Sequence, residues 1–181
     1  EGPYDVENFG TLSGLVKVET KEPTKDVHGE VNLNAGSFGY KKASATVSGG
    51  TDRVKLLVST STEEGDQYKD GNGDTFAEQQ VKKGMPGANQ YSNPNQKAYE
   101  KKTLLTKGQF NINDDQELKL SYTGNRSDNI LYPTGTMDAD YDDSNIYTVG
   151  YTARNLGSFS KQLDLDYYYS DVDHPMSTAL R

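Results

Sequence analysis

Residues 103–123 read TLLTKGQFNINDDQELKLSYT. Through residue 113, Leu104, Gly108, Phe110 and Ile112 fall on one side of an alternation whose other side carries Lys107, Gln109 and Asn111. Over 117–123, Leu118, Leu120 and Tyr122 alternate with Lys119, Ser121 and Thr123. A period of two is the geometry of a strand with one apolar face, and Asn113-Asp114-Asp115-Gln116 between the runs is turn chemistry. The stretch reads as a β-hairpin.

The same alternation recurs on either side. It places Val31 and Leu33 opposite Asn32 and Asn34 in 30–35, and Ala43, Ala45 and Val47 opposite Lys42, Ser44 and Thr46 in 42–48. In 53–60 it sets Val54, Leu56 and Val58 against Lys55 and Ser59, with Leu57 as an apolar exception. Tyr147, Val149 and Tyr151 carry it through 146–153, and Leu163, Leu165, Tyr167 and Tyr169 through 161–170, opposite Asp164 and Asp166. Seven strands and almost no helix are expected, an all-β antiparallel up-and-down meander.

Connection lengths add a direction. The turns 36–39, 49–52, 113–116 and 155–158 are short and rich in Gly, Asn and Asp, whereas 62–101 and 125–145 are long and polar. In meander order, 49–52, 113–116 and 155–158 share one end, and 36–39 and both long connections share the other. Short turns on one rim and long loops on the other are the pattern of a transmembrane β-barrel. Tyr40, Tyr122, Tyr147, Tyr167 and Tyr169 all fall toward the long-loop rim, and the last four share the apolar parity. An interfacial girdle requires that placement, because a phenol sets its ring among acyl chains and its hydroxyl in water.

Composition narrows the function classes. The 181 residues carry a net charge of −8, 32% hydrophobic residues, 13 Tyr, 18 Gly, and neither Cys nor Trp. No apolar run approaches the roughly 18–20 residues of a membrane helix. An acidic chain without a basic patch is a poor nucleic-acid binder. Without Cys there is no disulfide, thiolate metal site or thiol nucleophile. Little Leu, Ile, Val and Phe for a globular core, with this much Tyr and Gly, fits strands that need only one apolar face.

The first long connection has local structure. Thr75 and Glu78 are spaced as a capping box, Phe76, Ala77 and Val81 give a small apolar side, and Gly84 and Pro86 follow as stops, so a two-turn helix is expected. Asp70, Asn72 and Asp74 have the first ligand spacings of a calcium loop, but Thr75 stands where Gly belongs and Val81 where the bidentate Glu belongs. A solvated acidic turn is the better reading. The run Asp138, Asp140, Asp142, Asp143 reads as a repelling, solvated loop face, and His28 and His174 stand at strand or loop edges. No catalytic set, metal site or cofactor motif is recognisable, so the chain is not expected to be an enzyme.

The N-terminal stretch carries a resemblance. Glu1-Gly2-Pro3, Asn8-Phe9-Gly10 and Ser13-Gly14-Leu15-Val16-Lys17-Val18-Glu19-Thr20-Lys21-Glu22-Pro23 resemble the end of the plug domain of TonB-dependent outer-membrane receptors. There a Gly-Pro, an aromatic-Gly and a Gly-Gly-hydrophobic segment ending in Thr-Lys-x-Pro precede the first barrel strand. The turn Gly36-Ser37-Phe38-Gly39 and the Gly49 to Arg53 turn are similar to those between that family's first strands. Ser13, Lys17 and Glu19 depart from its usual residues, while Gly14, Thr20, Lys21 and Pro23 keep their order.

The resemblance implies a piece of a 22-stranded barrel: residues 1–24 the end of the plug, and 25–181 the first seven or so strands. It implies a Gram-negative outer-membrane location, with long loops extracellular and short turns periplasmic. The implied partners are outer-membrane lipid, the energy-coupling TonB protein and a scarce nutrient, foremost a ferric siderophore or other iron or metal chelate. Ligand contact is expected on the loop aromatics Tyr68, Tyr91, Tyr99, Tyr132 and Tyr141, which can stack on a flat chelate or hydrogen-bond to it. The competing reading is a non-transporting surface all-β module for binding or adhesion, which would bury the apolar face in a sandwich.

Overall fold

A computed structural model describes residues 18–181. The plug-like motifs before Val18 lie outside the described residues. The chain forms one antiparallel meander in which each strand pairs with the next: β1 (His28–Ala35), β2 (Lys41–Gly50), β3 (Val54–Asp66), β4 (Lys97–Asn111), β5 (Gln116–Ile130), β6 (Asp138–Arg154) and β7 (Gln162–Asp173). A two-residue β8 (Met176–Ser177) returns to pair with the start of β6. The helix α1 spans Phe76–Lys82.

Register sorts the side chains into two faces. Val58, Thr106, Tyr122, Tyr147 and Tyr169 form one cross-strand row from β3 to β7. Phe110, Leu118, Tyr151 and Leu165 form a second, with Leu120, Val149 and Tyr167 between them. The apolar face is open: Val31 is 72% exposed, Leu56 52% and Leu165 55%. No second sheet covers it among the described residues. The Tyr122 and Tyr147 rings lie 5.0 Å apart and the Tyr147 and Tyr169 rings 6.3 Å, a continuous aromatic row. Beyond it toward the long connections the same face turns charged, with Arg126 and Asp143 paired at 3.5 Å.

The opposite face is polar, and many of its side chains pair across neighbouring strands. Lys42 pairs with Glu63 at 2.9 Å, Thr46 with Ser59 at 2.8 Å, and Gln109 donates to Glu117 at 2.6 Å. Residues ahead of β1 rest on this face: Thr24 N–H donates to Ser48 Oγ at 2.7 Å, and Lys107 Nζ donates to Glu22 at 2.7 Å. Leu57, the exception in the alternation, is 2% exposed and sits opposite Ser48 in register, where Thr24 crosses and Pro23 is buried.

The connections 36–40, 51–53, 112–115 and 155–161 are short, as expected; 51–53, 112–115 and 155–161 share one rim, and 36–40 lies with the two long connections on the other. The second long connection is shorter than the expected 125–145: β5 runs on to Ile130 and β6 starts at Asp138, leaving residues 131–137. Asp140, Asp142 and Asp143 are therefore strand residues rather than a repelling loop face. The ladder continues there on polar pairs: Thr103 donates to Asn125 at 2.8 Å, Asn125 to Ser144 at 3.0 Å, and Tyr122 to Asn145 at 2.9 Å. Alternation of hydrophobicity records a difference between the media on the two faces. Where both faces are polar the strand persists and the signal vanishes.

Candidate functional site

Above the aromatic row, the connection 67–96, the connection 131–137 and the segment 174–181 close into a cap with its own core of Phe76, Ala77, Tyr91 and Leu131, against which Leu180 packs. Helix α1 starts as its sequence requires. Thr75 Oγ1 accepts from Glu78 N–H at 3.3 Å, and Glu78 Oε2 accepts from Thr75 N–H at 2.8 Å. Those bonds hold the Glu78 carboxyl below its ordinary range. Gly84, at φ +66°, turns the chain off the helix. Buried amides tie the loop down: Gln67 accepts from Ala77 N–H at 3.0 Å and donates to Pro94 O at 3.1 Å, and Gln80 accepts from Tyr91 N–H at 3.1 Å.

At the centre lies a buried ion pair. Asp138 and Arg181 side chains are both 0% exposed, with Arg181 Nε 2.7 Å from Asp138 Oδ2. Asp138 Oδ1 also accepts from Tyr91 Oη at 3.0 Å, from Tyr132 N–H at 2.7 Å and from Arg181 Nη2 at 3.1 Å. Arg181 donates further to Asn89 O at 3.1 Å and Tyr132 O at 3.0 Å, and its guanidinium lies 4.8 Å from the Tyr91 ring centroid. Every acceptor of the carboxylate is engaged, the condition under which a buried charge is tolerated. Burial, and then the Asp138 charge, push the Tyr91 phenol well above its usual range, so it remains a donor.

The five loop tyrosines occupy different places. Tyr91 is 6% exposed and its hydroxyl and ring are engaged within the cap. Tyr99, on β4, donates to Glu63 at 3.0 Å, and Tyr141, on β6, donates to Asp173 at 2.8 Å. Tyr68 and Tyr132 stand out at the surface, 54% and 39% exposed. Tyr68 meets Phe76 edge-on at 3.9 Å; Tyr132 meets the His174 ring at 6.3 Å and 81°. His174 Nδ1 lies 3.3 Å from Asp142 Oδ2.

The calcium-like triplet folds onto itself. Asp70 Oδ1 accepts from the N–H groups of Asn72 and Asp74 at 2.9 and 3.0 Å, which lowers the Asp70 pKa, and both Asp74 oxygens receive Lys82 Nζ at 2.6 Å. No group of three or more His, Asp or Glu side chains is placed to hold a metal among the described residues. Asp138, Arg181 and His174 are the site residues that sequence reasoning missed. In sequence Asp138 is one acid in an acidic run, and its partner lies 43 residues away, beyond any local pattern.

On the polar face of the sheet, a groove of about 560 Å³ runs beside residues 18–23 and is lined by Thr20, Glu22, Lys107, Lys119, Thr148 and Asp166, among others. Glu22 bridges the groove to Lys107 at 2.7 Å and Lys119 at 3.6 Å.

No family model matches this chain, and no curated protein matches it. Among solved structures its sheet is similar to a chain described as copper transporter OprC, with a TM-score of 0.67 at 18% identity. The match covers 86% of this chain and 21% of that one, so this chain spans about a fifth of its neighbour's length. At that identity the likeness is one of fold: an all-β up-and-down antiparallel sheet shared with a transporter.

Proposed function

We propose that this chain is a wall segment of an outer-membrane β-barrel receptor of the TonB-dependent kind, which binds a scarce metal, foremost as a ferric siderophore or related chelate, and imports it. In this reading residues 1–24 end a plug and 25–181 begin a barrel of about 22 strands. The observation that carries it is the pair of faces: an uncovered apolar face bounded by a tyrosine row, backed by a polar face on which residues 18–27 already rest. Lipid takes the first face and a wet lumen the second. The strands β4 and β5 have 15 residues and β6 has 17. About 9–11 cross a bilayer, so these strands continue beyond it on the cap side. That side is then extracellular, and the short turns are periplasmic. The fold likeness to a copper transporter supports a metal cargo. Tyr68 and Tyr132 are the loop aromatics free to meet ligand.

The protein's part is binding and gating, with no bond made or broken. The coupling protein pulls the plug from the periplasmic side, and contacts such as Glu22 with Lys107 and Lys119 are what the pull must release. The test is uptake by cells carrying or lacking the intact protein, offered a radiolabelled ferric tris-catecholate or Cu(II). Uptake that needs both this protein and the energy-coupling system supports the reading. Equal uptake in its absence, with the purified protein monodisperse in buffer without detergent, overturns it in favour of a surface binding module.

A further inference from the structure

Both polar groups of the Tyr132 peptide end on one buried ion pair: its N–H donates to Asp138 at 2.7 Å, and its carbonyl accepts from Arg181 at 3.0 Å. The same guanidinium holds Asn89 O from the other long connection and lies over the Tyr91 ring. The connection 131–137 is short, so fixing this peptide fixes the origin of the Tyr132 side chain. That side chain is partly exposed and stands nearly perpendicular to the His174 ring. His174 is set from its own side, because Nδ1 faces the Asp142 carboxylate and Nε2 has no partner among the described residues.

We propose that Asp138 and Arg181 are positioning residues that preset Tyr132 against His174, so that the two rings form a two-sided aromatic corner for a planar, ring-bearing face of the ligand. The proposal rests on the transport reading above. Two rings crossed at 81° let a flat ring stack on one while it meets the edge of the other. The imidazole Nε2 adds a hydrogen bond to a catecholate or carboxylate oxygen. Presetting matters because a loop that must be ordered on binding spends interaction energy on that ordering. A guanidinium suits the task better than an ammonium, since its fixed fork reaches Asp138, Tyr132 O and Asn89 O at once. Lys keeps the charge and loses the fork.

The test uses the intact protein in detergent or vesicles, with Arg181→Ala, Arg181→Lys, Tyr132→Ala and the Arg181→Ala/Tyr132→Ala double variant. Amide hydrogen exchange is read on the protein alone, and binding is titrated with a ferric tris-catecholate. Exchange over 131–137 is expected to speed up about a hundredfold in Arg181→Ala and less in Arg181→Lys, with 103–123 unchanged. Affinity is expected to fall about tenfold in Arg181→Ala and in Tyr132→Ala, with the double variant no weaker than Tyr132→Ala, because Arg181 acts through Tyr132. Additive losses in the double variant, or unchanged exchange over 131–137, would overturn the positioning role. A wild-type protein that does not bind the chelate sinks the corner's ligand and weakens the transport reading, while the exchange result still decides the clamp.

Discussion

Leu120 in the middle of β5 and Leu131 just beyond its end belong to the same stretch of chain and meet opposite surroundings: Leu120 is 40% exposed on the apolar face, and Leu131 is 8% exposed in the cap. In the wall each strand from β2 to β6 pairs with a neighbour on both sides, and the apolar side chains point away from the rest of the molecule. In the cap, Phe76, Ala77, Tyr91 and Leu131 turn inward and a fully buried ion pair sits among them. The wall has the chemistry of a surface finished by a non-aqueous medium. The cap has that of a small water-soluble domain stapled to its rim, so substitutions of one kind should act differently in the two.

The largest effect should come from unpairing the buried charge. Asp138→Ala leaves Arg181 buried without its carboxylate, a loss of about 3–5 kcal/mol from the cap. Replacing both residues by Leu should cost much less, because no charge is then stranded. Exchange protection over 75–92 and 131–139 reads this, with the paired 54–60 and 104–110 as the unmoved reference. Collapse of both regions together would mean that cap and wall are one cooperative unit. Next comes Leu120→Arg on the apolar face, expected to cost about 2–4 kcal/mol in lipid vesicles, against little for Ser121→Arg one residue along on the polar face. Equal costs, measured by denaturant unfolding of the intact protein in vesicles, would remove the case for lipid on one face. Smaller again is Thr75→Ala, which removes the helix cap at a cost of about 1 kcal/mol confined to α1. Glu22→Gln, at a half-exposed bridge, should cost no more than about 1 kcal/mol. Its readout is faster proteolysis of 18–27 at low salt, with the difference shrinking at high salt.

How much of this was legible depends on what each residue faces. The hairpin 103–123 could be read because lipid-type and water-type faces alternate along it, and the register pairs Leu104 with Gly124 and Phe110 with Leu118 as that reading requires. The outer halves of β5 and β6 could not, since Asn125, Arg126, Asp142 and Asp143 are polar on both sides and resemble a loop. Helix α1 was legible from Thr75 and Glu78 because a capping box is local. The centre of the cap was not: Asp138 looked like one more acid in an acidic run, and only tertiary structure brings Arg181 to it. Tyr91 illustrates the same limit, since nothing near it in sequence distinguishes a buried tyrosine from an exposed one such as Tyr68.

The gentlest way to separate the two regions is pH. Backbone and hydroxyl hydrogen bonds from Thr75 hold Glu78 below its ordinary 4.5, and the backbone N–H groups of Asp74 and Asn72 hold Asp70 below its ordinary 3.8. A carboxyl whose folded value is depressed contributes its full stability above the unfolded value and loses it as pH falls through the folded one. The turn at 70–74 and the first turn of α1 should therefore hold from neutral pH down to about 5 and loosen progressively below it, α1 first. Amide exchange over 70–79, corrected for the intrinsic pH dependence of exchange, follows this directly. Glu78→Gln keeps the capping bond without a titrating group, so it should remove the Glu78 share of the response and leave the Asp70 share. On the apolar face, Leu104, Leu118, Leu120 and Val149 carry no proton to lose, and the ladder beneath them should stay protected across the same range. A wall that loosened in step with the cap would show that the two are coupled through the upper halves of β5 and β6, where Arg126 and Asp143 pair.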